Sequence, residues 1–165
     1  MTAQVHETLV YEGEEMSMIS CPPLPAGHPR LTAAAEPFVT KREGVPGVVF
    51  STACWRRYLG TWEVKEGRLY LKDVKGLYEL DDAGPLFADW VSGWLVVPRG
   101  GLLRYVHMGF ESVYERELHL RFEAGVLVET REVDNRGAPA EPRVPTPPPP
   151  PARSRLGKLL ALLRR

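Results

Sequence analysis

The chain has 165 residues, 44% of them hydrophobic and 25% charged, which suits one globular domain with appendages and excludes two well-filled cores. Its 21 basic and 21 acidic residues cancel, so no global field draws the whole molecule to nucleic acid, and nucleic acid is not an expected partner. Cys21 and Cys54 make no CxxC or other metal spacing, which excludes a disulfide scaffold and a zinc site from the expectation and points to a reducing, cytoplasmic setting.

The first residues, MTAQVHETLVYEGEEMS, lack a basic stretch followed by a long apolar one, so no secretory signal is expected. No apolar run approaches the roughly 18 residues of a membrane-spanning helix. Residues 7–20, ETLVYEGEEMSMIS, alternate β-formers with polar residues around Gly13 and predict two short strands joined by a Glu-Gly turn. Over residues 21–47, Pro22, Pro23, Pro25, Pro29, Pro37 and Pro46 remove backbone donors and fix φ too often for regular structure. A long loop inside the domain is expected there, with at most a helical turn over residues 31–36.

Residues 58–74, YLGTWEVKEGRLYLKDV, predict a hairpin. Tyr58, Trp62 and Val64 share one face, Glu66-Gly67 supplies the turn, and Leu69 and Leu71 alternate with Tyr70 and Lys72. GLYEL adds a short strand, and LFADWVSGWLVVPRGGLLRYVHMG reads as two strands joined at Pro98-Arg99-Gly100-Gly101. In YERELHLRFEAGVLVETREVD, Leu118, Leu120 and Phe122 alternate with polar residues before Ala124-Gly125 turns the chain, so one face is buried and one wet. The expected domain, residues 1–135, is all-β or a β-dominated α+β fold: an antiparallel sheet curled into a barrel or folded into a sandwich.

Residues 136–152 are proline-rich and too poor in other apolar groups to offset their ordering entropy, so they read as an extended linker. A polyproline II helix rises about 3.1 Å per residue, which makes residues 145–151 a spacer of roughly 20 Å. The tail, residues 153–165, reads RSRLGKLLALLRR. As a helix it gathers Leu156, Leu159, Leu160 and Leu163 into one stripe, with Arg155, Lys158 and Arg165 on the far side. Thirteen residues are too few for a stable free helix in water, so this peptide needs a surface to fold on. The expected binding residues are those four leucines with Arg164 and Arg165, on a groove of a protein partner, an anionic membrane or the protein's own body.

Within the domain, Cys54, Arg56, Asp89, His107, Ser112, Tyr114 and Glu115 are the residues that would carry chemistry if they met in one cleft. A Cys54–His107 couple would make a thiolate nucleophile, and Asp89 with Glu115 would form a carboxylate pair. The competing assignments are structural: Cys54 as a small buried residue, His107 as a hydrogen-bonded strand residue, and Arg56 as the ion-pair partner of Asp89. Trp55, Trp62, Trp90 and Trp94 read as core of a small β domain, because each indole buries a large area and no basic stripe accompanies them. A body cleft would be lined by Trp55, Arg56, Trp90, His107 and Tyr114. No metal or cofactor is expected.

The stretches TACWRRYLGTWEVKEGRLYLKDV and FADWVSGWLVVPRGGLLRYVHMGFESVYERELHLRFEAGVLV resemble a group of small uncharacterised bacterial proteins. That group shares a TACWRGY…WE…LYL…DW.SG…YVHMG..S.YE pattern, and the resemblance covers roughly residues 51–128. Arg57 stands where the pattern has glycine. The resemblance implies no activity. The proline run followed by LLALLRR is similar to the cargo-loading tails that tether proteins inside encapsulin shells, without their glycine-serine step. Together these features imply a non-catalytic binding or accessory protein recruited to a protein shell or complex through its tail. Its location would be cytoplasmic, encapsulated or peripheral to a membrane. The alternatives are a small enzyme using Cys54 or His107, an immunity-type partner of a bacterial toxin, and tethering to a membrane surface.

Overall fold

The computed structural model describes residues 3–34 and 52–137; the expected tail helix and nearly all of the expected linker lie outside the described residues. The described chain is built of strands. In order they are β1 (Glu7–Tyr11), β2 (Glu14–Met18), β3 (Leu31–Ala33), β4 (Tyr58–Lys65), β5 (Arg68–Gly76), β6 (Tyr78–Leu80), β7 (Leu86–Phe87), β8 (Gly93–Arg104), β9 (Val113–Glu123) and β10 (Val126–Asp134), with one 3₁₀ turn at Thr52–Cys54 before β4. The all-β expectation holds.

Three hairpins organise the sheet, and each turns at a two-residue X-Gly step. Glu12-Gly13, Glu66-Gly67 and Ala124-Gly125 all have both φ angles positive, between 47° and 82°. Such turns match the right-handed twist of the flanking strands, and glycine at the second position enters that region without steric cost. The main sheet has the order β2-β1-β4-β5-β10-β9-β8, with β7 paired to β5. It is not closed into a barrel. Just past β2, the Ile19 N–H donates to the Val96 carbonyl (2.9 Å) and the Val96 N–H donates to Ser20 Oγ (2.8 Å), so the two ends of the sheet approach one another there.

Three details differ from the sequence reading. The sheet is mixed, because β1 lies parallel to β4, with Leu9 opposite Trp62; the long connection between them permits a crossover that a hairpin cannot make. The residues around Pro98-Arg99-Gly100-Gly101 do not join two strands. They form a bulge inside the single strand β8, whose register against β9 shifts between Arg99 and Leu102 and again between Leu102 and Arg104. The neighbouring strand β9 is continuous, and a bulge absorbs the extra residues without breaking the pairing. Finally, Leu31–Ala33 is a strand paired with β6, not a helical turn; residues 35–36 of that expectation lie outside the described residues. Partners across the chain satisfy this backbone better than a single isolated turn would.

The core sits between the β1-β4-β5 and β8-β9 portions of the sheet. Leu9, Trp62, Leu69, Leu71, Val97, Leu120 and Phe122 are fully buried within it, with Met18, Leu86, Ala88, Val91, Leu95 and Leu118 packed around them. Each such large side chain contributes about 1.5–3 kcal/mol on burial. The β4–β5 and β9–β10 hairpins pair near their tips, where Val126 is opposite Arg68, the Leu69 N–H donates to the Gly125 carbonyl and the Leu127 N–H to the Gly67 carbonyl, both at 2.8 Å. A Cβ on Gly125 would lie 2.6 Å from the Ala88 carbonyl oxygen, whereas one on Gly13 would meet nothing within 4 Å. Gly125→Ala should therefore cost about 2–3 kcal/mol, from backbone strain plus a clash, and Gly13→Ala only about 1 kcal/mol, from strain alone. Urea unfolding of the two variants checks the difference.

Candidate functional site

Alternation along β1 points Glu7 to the same side as Leu9, into the core, where a carboxylate needs partners. The parallel pairing of β1 with β4 supplies one. Trp62 Nε1 donates to Glu7 Oε2 at 2.6 Å. Arg56, just after the 3₁₀ turn, supplies another: its Nε donates to Glu7 Oε1 at 3.0 Å, and its Nη2 donates to the Val5 carbonyl at 2.8 Å. The two side chains of the ion pair are 8% and 0% exposed. Gly60 lies against this junction. A Cβ there would sit 2.6 Å from Trp62 Nε1 and 3.1 Å from Glu7 Oε2, so only a residue without a side chain fits. Arg56 Nη1 is buried without a hydrogen-bond partner, and the guanidinium carbon lies 5.9 Å from the Tyr58 ring centroid.

Titratable neighbours surround the pair, and burial dominates each of them. Burial raises the Glu7 carboxyl above its ordinary range, against the opposing pull of the Trp62 N–H, the Arg56 charge and the Gly60 N–H. Burial pushes the Cys21 thiol up to about 12, aided by the Glu7 charge. The Tyr58 phenol is likewise raised to about 12 by burial and then by Glu7. His6 is lowered by burial and by the adjacent Arg56 charge. Cys21 and Tyr58 are therefore neutral at physiological pH, and Cys21 has too little thiolate to act as a nucleophile.

The candidates read from the sequence disperse. Cys54 Sγ donates to the Tyr58 carbonyl at 3.4 Å, while exposed His107 shares a 2.7 Å hydrogen bond with the Tyr105 hydroxyl; no hydrogen bond between Cys54 and His107 is found among the described residues. Arg56 pairs with Glu7 instead of Asp89. Asp89 is exposed beside the Gly125 turn, whereas Glu115 Oε2 accepts the Gly101 N–H at 2.9 Å in the β8 bulge. Most of β9, roughly 20–25 Å of strand, separates those two carboxylates. Ser112 Oγ accepts the Val106 N–H at 3.0 Å, a turn contact.

The tryptophans divide as well. Trp62 is fully buried and Trp90 half-buried against it, with ring centroids 6.4 Å apart, but Trp94 lies on the outer face and Trp55 is 74% exposed. Of the expected cleft residues, Tyr114 packs edge-on against His6, and Trp90 donates from Nε1 to the Pro23 carbonyl at 2.7 Å. Among the described residues no hydrogen bond, ion pair or ring contact joins Trp90 to Trp55, His107 or Tyr114. Sequence reasoning missed Glu7 and Cys21. The available signal was a charge in phase with the apolar positions of β1.

A different feature gathers at the end of the sheet where this polar cluster lies. The segment between β8 and β9 is tied to the N-terminal residues by a bond from the Gln4 N–H to the Gly109 carbonyl, and these to the 3₁₀ turn by one from the Val5 N–H to the Ala53 carbonyl. Those tied segments carry exposed Val5, Trp55, Tyr105 and Met108, and the last residues of β8, which lead into the β8–β9 segment, add exposed Leu102 and Leu103. Among the described residues no group of three or more His, Cys, Asp or Glu could hold a metal ion, and no helix is long and apolar enough to cross a membrane. No family model, curated protein or solved structure matches the chain.

Breaking a buried pair costs more than the pair contributes, because one charge is left without a counterion. Arg56→Gln should lower the unfolding free energy by about 3–5 kcal/mol, measured in urea, whereas Cys54→Ala should cost at most about 1 kcal/mol. Cys21 and Tyr58 hold their protons more tightly in the folded chain than in the unfolded one. The stability they contribute is complete below pH 9.0 and 10.0 respectively and is lost as pH rises toward about 12. Urea titrations above pH 9 should show stability falling with pH, and Tyr58→Phe should flatten part of that slope.

Proposed function

We propose that the protein is a non-catalytic binding protein. Its apolar end docks a protein partner, and its tail recruits it to a larger protein assembly. The observation that carries this reading is the exposed set Val5, Trp55, Tyr105 and Met108 on mutually bonded segments, extended by exposed Leu102 and Leu103 at the end of β8. Large apolar side chains gathered in this way mark interaction surfaces more often than they serve solubility. Trp55 is suited to anchor such a contact, since tryptophan dominates the energetics of interface centres. Two of the polar groups that a catalyst would present to substrate are consumed by structural bonds: Glu7 by Trp62 and Arg56, and Cys54 by a backbone carbonyl.

The tail argument comes from its sequence. Leu156, Leu159, Leu160 and Leu163 with Arg164 and Arg165 suit a groove on a shell or complex subunit, and burying four leucines favours a modest affinity that repetition along an assembly would strengthen.

Two perturbations test the two halves separately. Trp55→Ser with Leu103→Ser should weaken capture of the partner at least about tenfold in a pulldown from the native host, with unchanged unfolding midpoint. Deleting residues 153–165 should leave the body folded and abolish co-assembly. A fluorescent protein fused to residues 145–165 should adopt the assembly's distribution in cells; a membrane pattern or a diffuse one would overturn recruitment to a protein assembly.

A further inference from the structure

Away from the apolar end, Pro23, Leu24, Pro25, Leu31, Tyr58 and Tyr78 line an open groove of about 400 Å³. Its walls are held by side-chain bonds from partly buried residues. The Tyr58 hydroxyl donates to the Pro22 carbonyl at 3.3 Å, and Trp90 Nε1 donates to the Pro23 carbonyl at 2.7 Å, so two aromatic side chains pin the proline loop in place. On the other side, β3 and β6 are clamped together by a bond from Arg30 Nε to Asp81 at 2.7 Å and by one from the Asp81 N–H to the Arg30 carbonyl at 3.1 Å. The Tyr58 and Tyr78 rings meet edge-on, with centroids 6.1 Å apart, and Tyr78 is 41% exposed. A groove lined by two touching aromatic rings and by apolar groups accepts the flat pyrrolidine rings of an extended proline helix, which loses little entropy on binding.

The chain itself carries that ligand, with prolines at six of the seven positions 145–151. We propose that the groove is a polyproline-binding site and that its occupant is the 145–151 segment of the same chain. The place where the described chain ends supports this occupant. Asn135 is held at the start of β9, its N–H donating to the Glu115 carbonyl and its Nδ2 to the Tyr114 carbonyl. From there a succession of near neighbours leads to the groove: the Tyr114 ring against His6, Arg56 beside His6 on Glu7, and Arg56 over Tyr58. Eight residues from Gly137 to Pro145 reach up to about 26 Å. A tether this short holds the proline run near the groove at about millimolar effective concentration, so even a weak polyproline contact is occupied. The docked linker then sets where the leucine tail leaves the body, in place of a free spacer.

The test uses the full chain and a full-length variant in which Pro147→Ser, Pro148→Ser, Pro149→Ser and Pro150→Ser remove the ligand. A synthetic peptide of residues 142–152 is titrated into each and followed by backbone amide NMR. In the serine variant the peptide should give saturable shifts at Leu24, Leu31, Tyr58 and Tyr78. The unsubstituted chain should need at least about tenfold more peptide, because its own linker competes. Adding Tyr78→Ala to the serine variant should abolish the shifts while the remaining spectrum stays dispersed. Absence of saturable shifts in the serine variant, or equal peptide affinity for both chains, would overturn the proposal. Dimers that form through the proline run would also overturn it, since they would make a second copy the occupant.

Discussion

A carboxylate on the apolar side of β1 is the constraint around which much of this molecule is arranged. Glu7 is in phase with Leu9, so the sheet that buries the leucine also buries the acid. A buried carboxylate needs donors that stay in place. Trp62 provides one because β4 lies parallel to β1, Gly60 keeps the space open, and Arg56 brings the compensating charge from the turn before β4. Two segments distant in sequence, β1 and the stretch from Arg56 through β4, are thereby held in one register. A hydrophobic contact of similar area would tolerate sliding between them, whereas directional bonds to two carboxylate oxygens do not.

The same arrangement bears on function. Around the buried pair, burial holds the thiol of Cys21 and the phenol of Tyr58 in their neutral forms. Apolar side chains lie outside, on the segments those groups anchor. Arg56 bonds to Glu7 and to Val5, and Trp55 stands beside it in the chain with its side chain in solvent. The buried pair therefore acts as a foundation for an exposed surface. This is an arrangement suited to binding, since rigid support of a contact residue lowers the entropy lost when a partner arrives.

Much of the fold was legible in the sequence and much of the site was not. The three hairpins were readable because Glu12-Gly13, Glu66-Gly67 and Ala124-Gly125 are local signals, decided by which residues tolerate positive φ. The bulge in β8 was misread as a turn because glycines beside a proline look alike in both settings; only the uninterrupted partner strand distinguishes them. Arg57 has φ of 64°, in the left-handed region that residues other than glycine rarely enter, which its residue type did not signal. The pairing of Arg56 with Asp89 failed because sequence distance says nothing about which of 21 acidic residues folds toward a given arginine. Trp55 and Trp94 were placed in the core by residue type, yet strand phase and loop position put them outside.

By itself, then, the amino-acid sequence determined the strand-dominated class, the hairpin turns and the alternation of buried and wet positions. These depend on backbone sterics and on a period of two, both properties of neighbouring residues. It also determined that a proline run precedes a leucine-rich cationic tail. Tertiary structure alone decided that β1 runs parallel to β4, that Glu7 meets Arg56 and Trp62, and that Tyr58 and Tyr78 face a proline loop. Such partners are tens of residues apart, and they are selected by the requirement that every buried donor, acceptor and charge find its complement at once.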